Sequence, residues 1–579
     1  MSNEALSPAK QLAHAKSLLM GDSPRKYATI CLLGALAGLA AVMFHEVTMK
    51  IEAWTVAASL DMSHVKFAIV SFGWVVGGSL FASLLIKFVA PEAGGGGILP
   101  TKITFWQDFG FMKARVFVTK FIASAVTLGT GTSLGPEGPA VQIGAGVMSS
   151  GAELLQVPKQ GRRAYCAGGA AAGLAAAFNA PLAAVTFVLE EIIGDLNSRY
   201  LGTVVLAAVM GALVVHAILG AQPSFQAPAL ASTTWVGYLM SIPVAAFAAA
   251  TGSVFQRGSM WLRAKSRKWV KIPGGLAPVV GAVLCWVFAC STFLATGHSG
   301  VFGIGYQDVT LAIGGTLPWT TAIVLFLGKL AATIAAVGTS GCGGLFAPSF
   351  FIGAMAGKLL AGLSALIMPL TPSDQTMLVM VGMCACLGAV IRTPIACILM
   401  IFEVTHQFLI VPALLIATMV SLAVAKSLQH EGMYEAMLEQ DGVDPNRLLP
   451  PRHFKQWREM PVSAIATYRP VVATDLTSEG LKTLLASSKK QRFPVIIDRK
   501  LKGVLWRHDA ELALQSGKPP EMKTAVWLSP KTAVGDSQEK FLETDADMLC
   551  VGDEATGELI GVLTLHDILR GQDALVEEA

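Results

Sequence analysis

The sequence predicts an all-α polytopic membrane protein built from two related halves and followed by a smaller α/β region. Three observations lead there. The first is composition: 53% of the 579 residues are hydrophobic and 14% are charged, against about 25% charged in ordinary soluble domains. The 58 glycines fall mostly within apolar stretches, where small residues let helices approach closely. The second is a recurrence of apolar runs near the length of about 20 residues that spans a bilayer. The third is an internal repeat of two glycine- and proline-rich stretches. A net charge of +4 is small and argues against nucleic acid as a partner. Eight of the nine cysteines lie in or beside apolar segments without a C-x-x-C pair, so they read as packing residues, with no metal site implied.

In chain order, residues 1–26 are polar and carry no signal-peptide hydrophobic region, so the first spanning helix is expected to remain as an anchor. Lys16, Arg25 and Lys26 place this segment in the cytoplasm by the positive-inside rule. The first apolar run is Tyr27–Met49, with His45 and Glu46 expected at its far interface, and the second is Phe67–Val89. That second run ends in PEAGGGGILP, whose glycines Gly94 to Gly97 do not suit a helix interior. Taken alone, such a loop is most often a turn. Lys120, in the next apolar run, is expected to pair with a carbonyl or carboxylate.

The stretch from Gly131 to Gly146 reads GTSLGPEGPAVQIGAG. Pro136 and Pro139 suit the first turn of a helix, so a helix should start here at membrane depth. Its free N–H groups and positive dipole end favour an anion. Glu137, an acid at that mouth, would compete for the same place. Capping carboxylates are common in soluble loops, but an ionisable residue within a membrane segment is a functional candidate by default.

Lys159, Arg162 and Arg163 read as a cytoplasmic loop. Beyond it Ala167–Glu191 is a small-residue helix, a proline break and a second apolar run ending in Glu190 and Glu191, a pair that could equally be a solvated helix end. Further runs follow at Leu201–Leu219, Trp235–Phe255, Gly275–Ala295 and Thr320–Val337, with a dense basic loop, Arg257–Lys271, between them. Lys329 is an intramembrane cation read as paired and structural.

From Thr339 the sequence repeats itself. Gly344, Pro348, Ile352, Gly353 and Ala354 match Gly135, Pro139, Ile143, Gly144 and Ala145 at an offset of 209. Seven later positions, among them Pro394 against Pro181 and Glu403 against Glu190, match at an offset of 213. The halves are therefore about 30–215 and 230–430 within a membrane domain of residues 27–440. Broken helices in corresponding positions of two halves point to a site at the midplane. Residues 441–460 read as a linker, and 461–579 as short strands and helices, with PVIID and MLCVGD as strand candidates.

The motifs resemble those of the CLC family of chloride channels and proton/chloride exchangers, over about residues 30 to 440. GPEGP, with Pro136 where the family usually has a basic residue, matches the loop of the gating glutamate, here Glu137. Gly95, Gly96, Gly97 and Ile98 match G-S-G-I of the anion-binding loop, with Gly96 in the serine position and Leu99 inserted before Pro100. Gly344 to Pro348 match G-x-F-x-P, so Leu345 and Phe346 would offer backbone N–H groups to an anion. Glu191 falls on the inner proton-transfer glutamate. Tyr434, which alone would read as an interfacial anchor, falls on the tyrosine lining the inner anion path. The tail resembles a CBS domain pair, in which Thr564 and Asp567 match a nucleotide-ribose pattern and Trp506 stands in the corresponding hydroxyl position of the first copy. A nucleotide-free structural pair is the other reading of the tail.

The resemblance implies inverted repeats, a homodimer with one pathway per subunit, cytoplasmic termini, lipid as surroundings, and chloride and protons as transported ions. Proton/chloride antiport with Glu137 and Glu191 carrying the proton is the expected function; a passive gated chloride channel of the same fold is the alternative. No cofactor is implied beyond an adenine nucleotide at the tail. A magnesium channel would need oxygen-rich acidic pore loops. An intramembrane enzyme would need a nucleophile with a base or metal cluster, and the apolar segments show neither.

Overall fold

The computed structural model describes residues 24–220, 222, 225, 227–268, 276–443, 460–498, 500–544 and 546–570. The segment 1–23 with Lys16, the end of the basic loop at 269–271 and most of the linker lie outside the described residues. The chain divides into two compact units, Met1–Leu448 and Leu449–Ala579.

The first unit is helical. In order come α1 (Pro24–Glu52, continued by a π-helical turn Ala53–Ala57), α2 (His64–Val89), α3 (Ile98–Trp106), α4 (Ala114–Gly129), α5 (Glu137–Leu154), α6 (Lys159–Phe178), α7 (Pro181–Phe187) and α8 (Leu201–Ile218). The second series is α9 (Trp235–Ser266), α10 (Ala277–Thr296), α11 (Tyr306–Ile313), α12 (Trp319–Gly338), α13 (Phe346–Ala365), α14 (Pro372–Ile391), α15 (Pro394–Thr405) and α16 (Val411–Leu428), with α17 (Met433–Gln440) beyond it. Among the described residues nine helices are long and apolar enough to cross a membrane, and the protein is an integral, multi-pass one.

The eight helices of one series answer to the eight of the other. α5 packs on α6 as α13 packs on α14, and α7 lies against α15. The close packing has the same cause in both halves. A Cβ on Gly144 would stand 2.3 Å from the Gly169 carbonyl oxygen, and one on Gly353 would stand 2.3 Å from that of Gly382. Only glycine permits helices that near.

Contacts between the halves are reciprocal. Ser124 Oγ lies 3.1 Å from Cys342 Sγ, and Ser133 Oγ lies 3.1 Å from Thr333 Oγ1; these are the same pair exchanged at the 209 offset. Glu190 accepts from the N–H groups of Ile395 and Ala396 at the start of α15 (3.2 and 2.9 Å). Glu403 accepts from those of Leu182 and Ala183 at the start of α7 (3.0 and 2.7 Å). Each half thus caps the broken helix of the other, where free N–H groups and dipole favour a carboxylate. On the pseudo-two-fold itself Gly135 and Gly344 exchange backbone hydrogen bonds of 2.8 and 2.6 Å. The halves are inverted repeats.

Two expectations change. Lys159, Arg162 and Arg163 do not form a loop but open α6, where the Arg163 guanidinium lies over the Phe109 ring at 4.9 Å and donates to the Trp106 carbonyl. The run expected to end at Phe255 continues as helix to Ser266, so part of the basic loop is helical. Its Arg263 pairs with Asp441 at 2.9 Å.

The second unit holds two sheets. One has the order β1 (Thr467–Tyr468), β7 (Glu558–Thr564), β6 (Met548–Asp553), β5 (Trp527–Leu528), and the other β2 (Arg492–Ile497), β3 (Lys500–Trp506), β4 (Met522–Lys523). Helices α18 (Ser478–Ser487), α19 (Arg507–Ser516) and α20 (Val534–Thr544) accompany them. The hairpins β2–β3 and β6–β7 are the PVIID and MLCVGD segments with their following strands. Burial pushes the Cys550 thiol up to about 12, so it is an inert packing group.

Candidate functional site

Three chain breaks meet near the pseudo-two-fold: the loop before α3, the start of α5 and the start of α13. Gly97 has a φ of 94°, and a Cβ there would stand 2.3 Å from the Gly138 carbonyl oxygen, so the first loop sits directly on the start of α5. Gly96 is different. A Cβ at Gly96 would meet only the Gly343 oxygen, at 3.6 Å, which is ordinary contact. The missing hydroxyl is therefore a matter of sequence, not of space.

Buried lysines hold the loops. Lys120 Nζ donates to the carbonyls of Ala93 and Gly95 at 3.2 and 2.5 Å. Its counterpart Lys329 donates to those of Gly300, Gly303 and Ile304 at 3.0, 2.8 and 3.3 Å. Gly303 and Gly305 repeat the positive φ of Gly95 and Gly97, so the loop before α11 is the second copy of the loop before α3.

Glu137, the first residue of α5, is fully buried. Its Oε1 accepts from the Tyr306 hydroxyl at 2.6 Å, and its Oε2 faces the Ala347 N–H at 3.4 Å. The helix start formed by Leu345 and Phe346 thus has an acidic neighbour supplied by the other half. Gly96, Leu345 and Tyr434 line one cavity of about 990 Å³. Tyr306 lines another of about 290 Å³ together with His45 and Glu52, so His45 faces this cavity. The loops before α3 and α11 line one cavity each; Glu137 lines neither, but bonds Tyr306 in the wall of the second and faces Ala347, two residues past Leu345 in the wall of the first. Gly97, Ile98 and Phe346 lie behind the wall, with Ile98 and Phe346 buried.

Tyr434 is 4% exposed, and its hydroxyl has no hydrogen-bond partner among the described residues. An unpaired buried hydroxyl beside a cavity is an available donor. It lies within electrostatic reach of both Glu137 and Glu191. Glu191, on the π-helical segment Val188–Ile193, pairs with Lys102 Nζ at 2.8 Å in a buried bridge. Its neighbour Glu190 is the cap of α15, so the two adjacent acids do different work.

Lys102 and Tyr306 are absent from the residues that the sequence singled out. Lys102 carried a signal, a charge four residues into an apolar helix, whereas Tyr306 carried none. A His–Asp pair also forms, His298 Nδ1 to Asp308 at 2.7 Å, but Asp308 takes the Gly300 N–H as well. The pair anchors the second loop.

In the second unit Asp567 accepts from the Thr564 N–H and hydroxyl on Oδ2 and from the Thr467 hydroxyl on Oδ1. Trp506 lies between Arg492 and Lys523, at 5.1 and 4.1 Å from its ring centre.

Residues 78–426 match the model of the family described as voltage gated chloride channel. The chain is 28% identical over 439 residues to an H(+)/Cl(-) exchange transporter ClcA of Vibrio campbellii, covering 72% of this chain and 90% of that one. It is 26% identical over 429 residues to its namesake in Cronobacter sakazakii, covering 70% and 88%. Among solved structures, a slow cyanobacterial Cl−/H+ antiporter is similar with a TM-score of 0.65 and 22% identity, covering 72% of this chain and 98% of that one. A eukaryotic CLC transporter is similar at 0.61 and 20%, covering 93% and 97%.

Proposed function

The chain belongs to the voltage gated chloride channel family, and from that premise we propose that it is a membrane antiporter exchanging chloride for protons, with Glu137 as its titrating gate. One observation carries this: a fully buried carboxylate bonds Tyr306, which lines one cavity, and faces the N-terminus of α13, whose preceding Leu345 lines the other. Ionised, Glu137 fills the place that a helix start offers to an anion. Protonated, it no longer competes, and chloride can enter. One group thereby serves anion and proton in alternation, which is the requirement for exchange. The names of the ClcA relatives support the same activity.

The anion path runs through the cavity of Gly96, Leu345 and Tyr434, with the N–H groups of Gly97, Ile98 and Phe346 as further donors. Glu191 delivers the proton from the Tyr434 side. The Lys102 bridge is the observation that favours a second reading, a passive gated chloride channel. A lysine bonded to Glu191 occupies the carboxylate oxygen that a proton relay would use. Proteoliposomes decide between them: an imposed chloride gradient drives uphill proton movement in an antiporter and none in a channel.

A homodimer with cytoplasmic termini follows from the family likeness. Thr564 and Asp567 are the place for an adenine nucleotide, but a ribose there would have to displace the Thr467 hydroxyl from Asp567. The nucleotide-free tail fits the geometry better.

A further inference from the structure

The two halves repeat each other closely around the site, and where they differ in kind the differences meet. At the 209 offset Glu137 answers to Phe346, and at 208 Tyr306 answers to Ile98. The two-fold therefore turns the Glu137–Tyr306 contact into a Phe346–Ile98 position, apolar on both sides. In one copy alone a carboxylate and a phenol occupy the position, 2.6 Å apart.

Resting on the antiporter assignment, we propose that Tyr306 is a positioning residue for the gate: its hydroxyl holds the ionised Glu137 carboxylate in the closed place and sets the pH at which the gate lets go. The phenol is well fixed for this. It starts α11 directly after Gly305, in a loop whose Gly300, Gly303 and Ile304 carbonyls are all held by Lys329. Its ring packs edge-on against Phe225 at 4.9 Å. A donor aimed at a carboxylate stabilises the charged form over the neutral one. Removing the donor and keeping the ring therefore favours the protonated, released gate.

Among the described residues the other ionisable groups facing Glu137 are Lys329 on α12 and Tyr434 on α17. Lys329 is in turn faced by Glu52 on α1 and Asp308 on α11. From α13 comes the Ala347 N–H. None of these is altered by losing one hydroxyl from Tyr306.

The test is chloride efflux from proteoliposomes, with pH varied equally on both faces, for wild type, Tyr306→Phe, Glu137→Gln and the double variant. Wild-type flux is expected to rise as pH falls through a midpoint. Tyr306→Phe should move that midpoint up by about one pH unit, tenfold in proton concentration. Glu137→Gln should be flat with pH, and adding Tyr306→Phe to it should change nothing. An unmoved midpoint in Tyr306→Phe, a wild-type flux without pH dependence, or an equal effect of Tyr306→Phe in the Glu137→Gln background would each overturn the proposal. Absence of coupled proton movement in wild type would instead remove the antiporter assignment, a separate readout from the chloride midpoint.

Discussion

Glu137 has a donor for each oxygen, one from the side chain of Tyr306 and one from the backbone of Ala347. Gln at this position keeps the size but neither binds a proton nor competes as an anion. Glu137→Gln should therefore sustain chloride flux while abolishing both its pH dependence and proton coupling, read as parallel chloride and pH traces. Gly96→Ser is the complementary change. The space is present, with 3.6 Å to the nearest oxygen, so a hydroxyl should enter the cavity that Gly96 lines and, if anions pass there, sharpen chloride over nitrate in a paired-anion flux assay. An unchanged anion order would take Gly96 out of the path. Glu137 stood out in the sequence because an acid between glycines and prolines has few uses inside a membrane. Tyr306 did not, and the charge of Lys102 in an apolar helix gave no hint of its partner, because the partners are 169 and 89 residues away, a distance that only the fold closes.

Among the described residues, six of the nine elements of membrane-spanning length were legible from their apolar runs, and the repeat was legible from its offsets, whereas α13, α14 and α16 were reached only as parts of the second half. Of the short helices, α7 and α15 were legible through their proline breaks at Pro181 and Pro394, but α3 and α11 were not, since neither is long enough to cross a bilayer and each is defined by the glycine before it. The lysines are what keep the paired glycine loops in register. Lys329→Met leaves three buried carbonyls without a donor, each costing about 1–3 kcal/mol if unsatisfied. It should lower the thermal transition of the detergent-solubilised protein and open the second loop to proteolysis. Glu403→Gln keeps one acceptor of the two that cap α7 and loses the charge that suits a helix start. The expected cost is near 1 kcal/mol, visible as a smaller fall in the same thermal transition.

At the scale of the molecule, inversion explains why a site lies at the junction of the halves. Each half brings broken helices to the middle, and the two-fold gives opposite cavities equivalent walls. That symmetry is broken at particular residues: Glu137 bonds Tyr306, which lines one cavity, and Tyr434 lines the other. The tail was legible as short strands and helices, but not the use of Asp567, whose Thr467 partner is a hundred residues distant. If the tail senses adenine nucleotide, ATP should alter wild-type flux and Asp567→Ala should remove the response; the geometry predicts no effect of ATP in either. The most direct test of the whole account is the simultaneous record of chloride and proton movement in proteoliposomes under a chloride gradient. The account predicts protons driven uphill by wild type, and chloride flux without proton movement in both Glu137→Gln and Glu191→Gln. Full proton coupling retained by Glu137→Gln would contradict it.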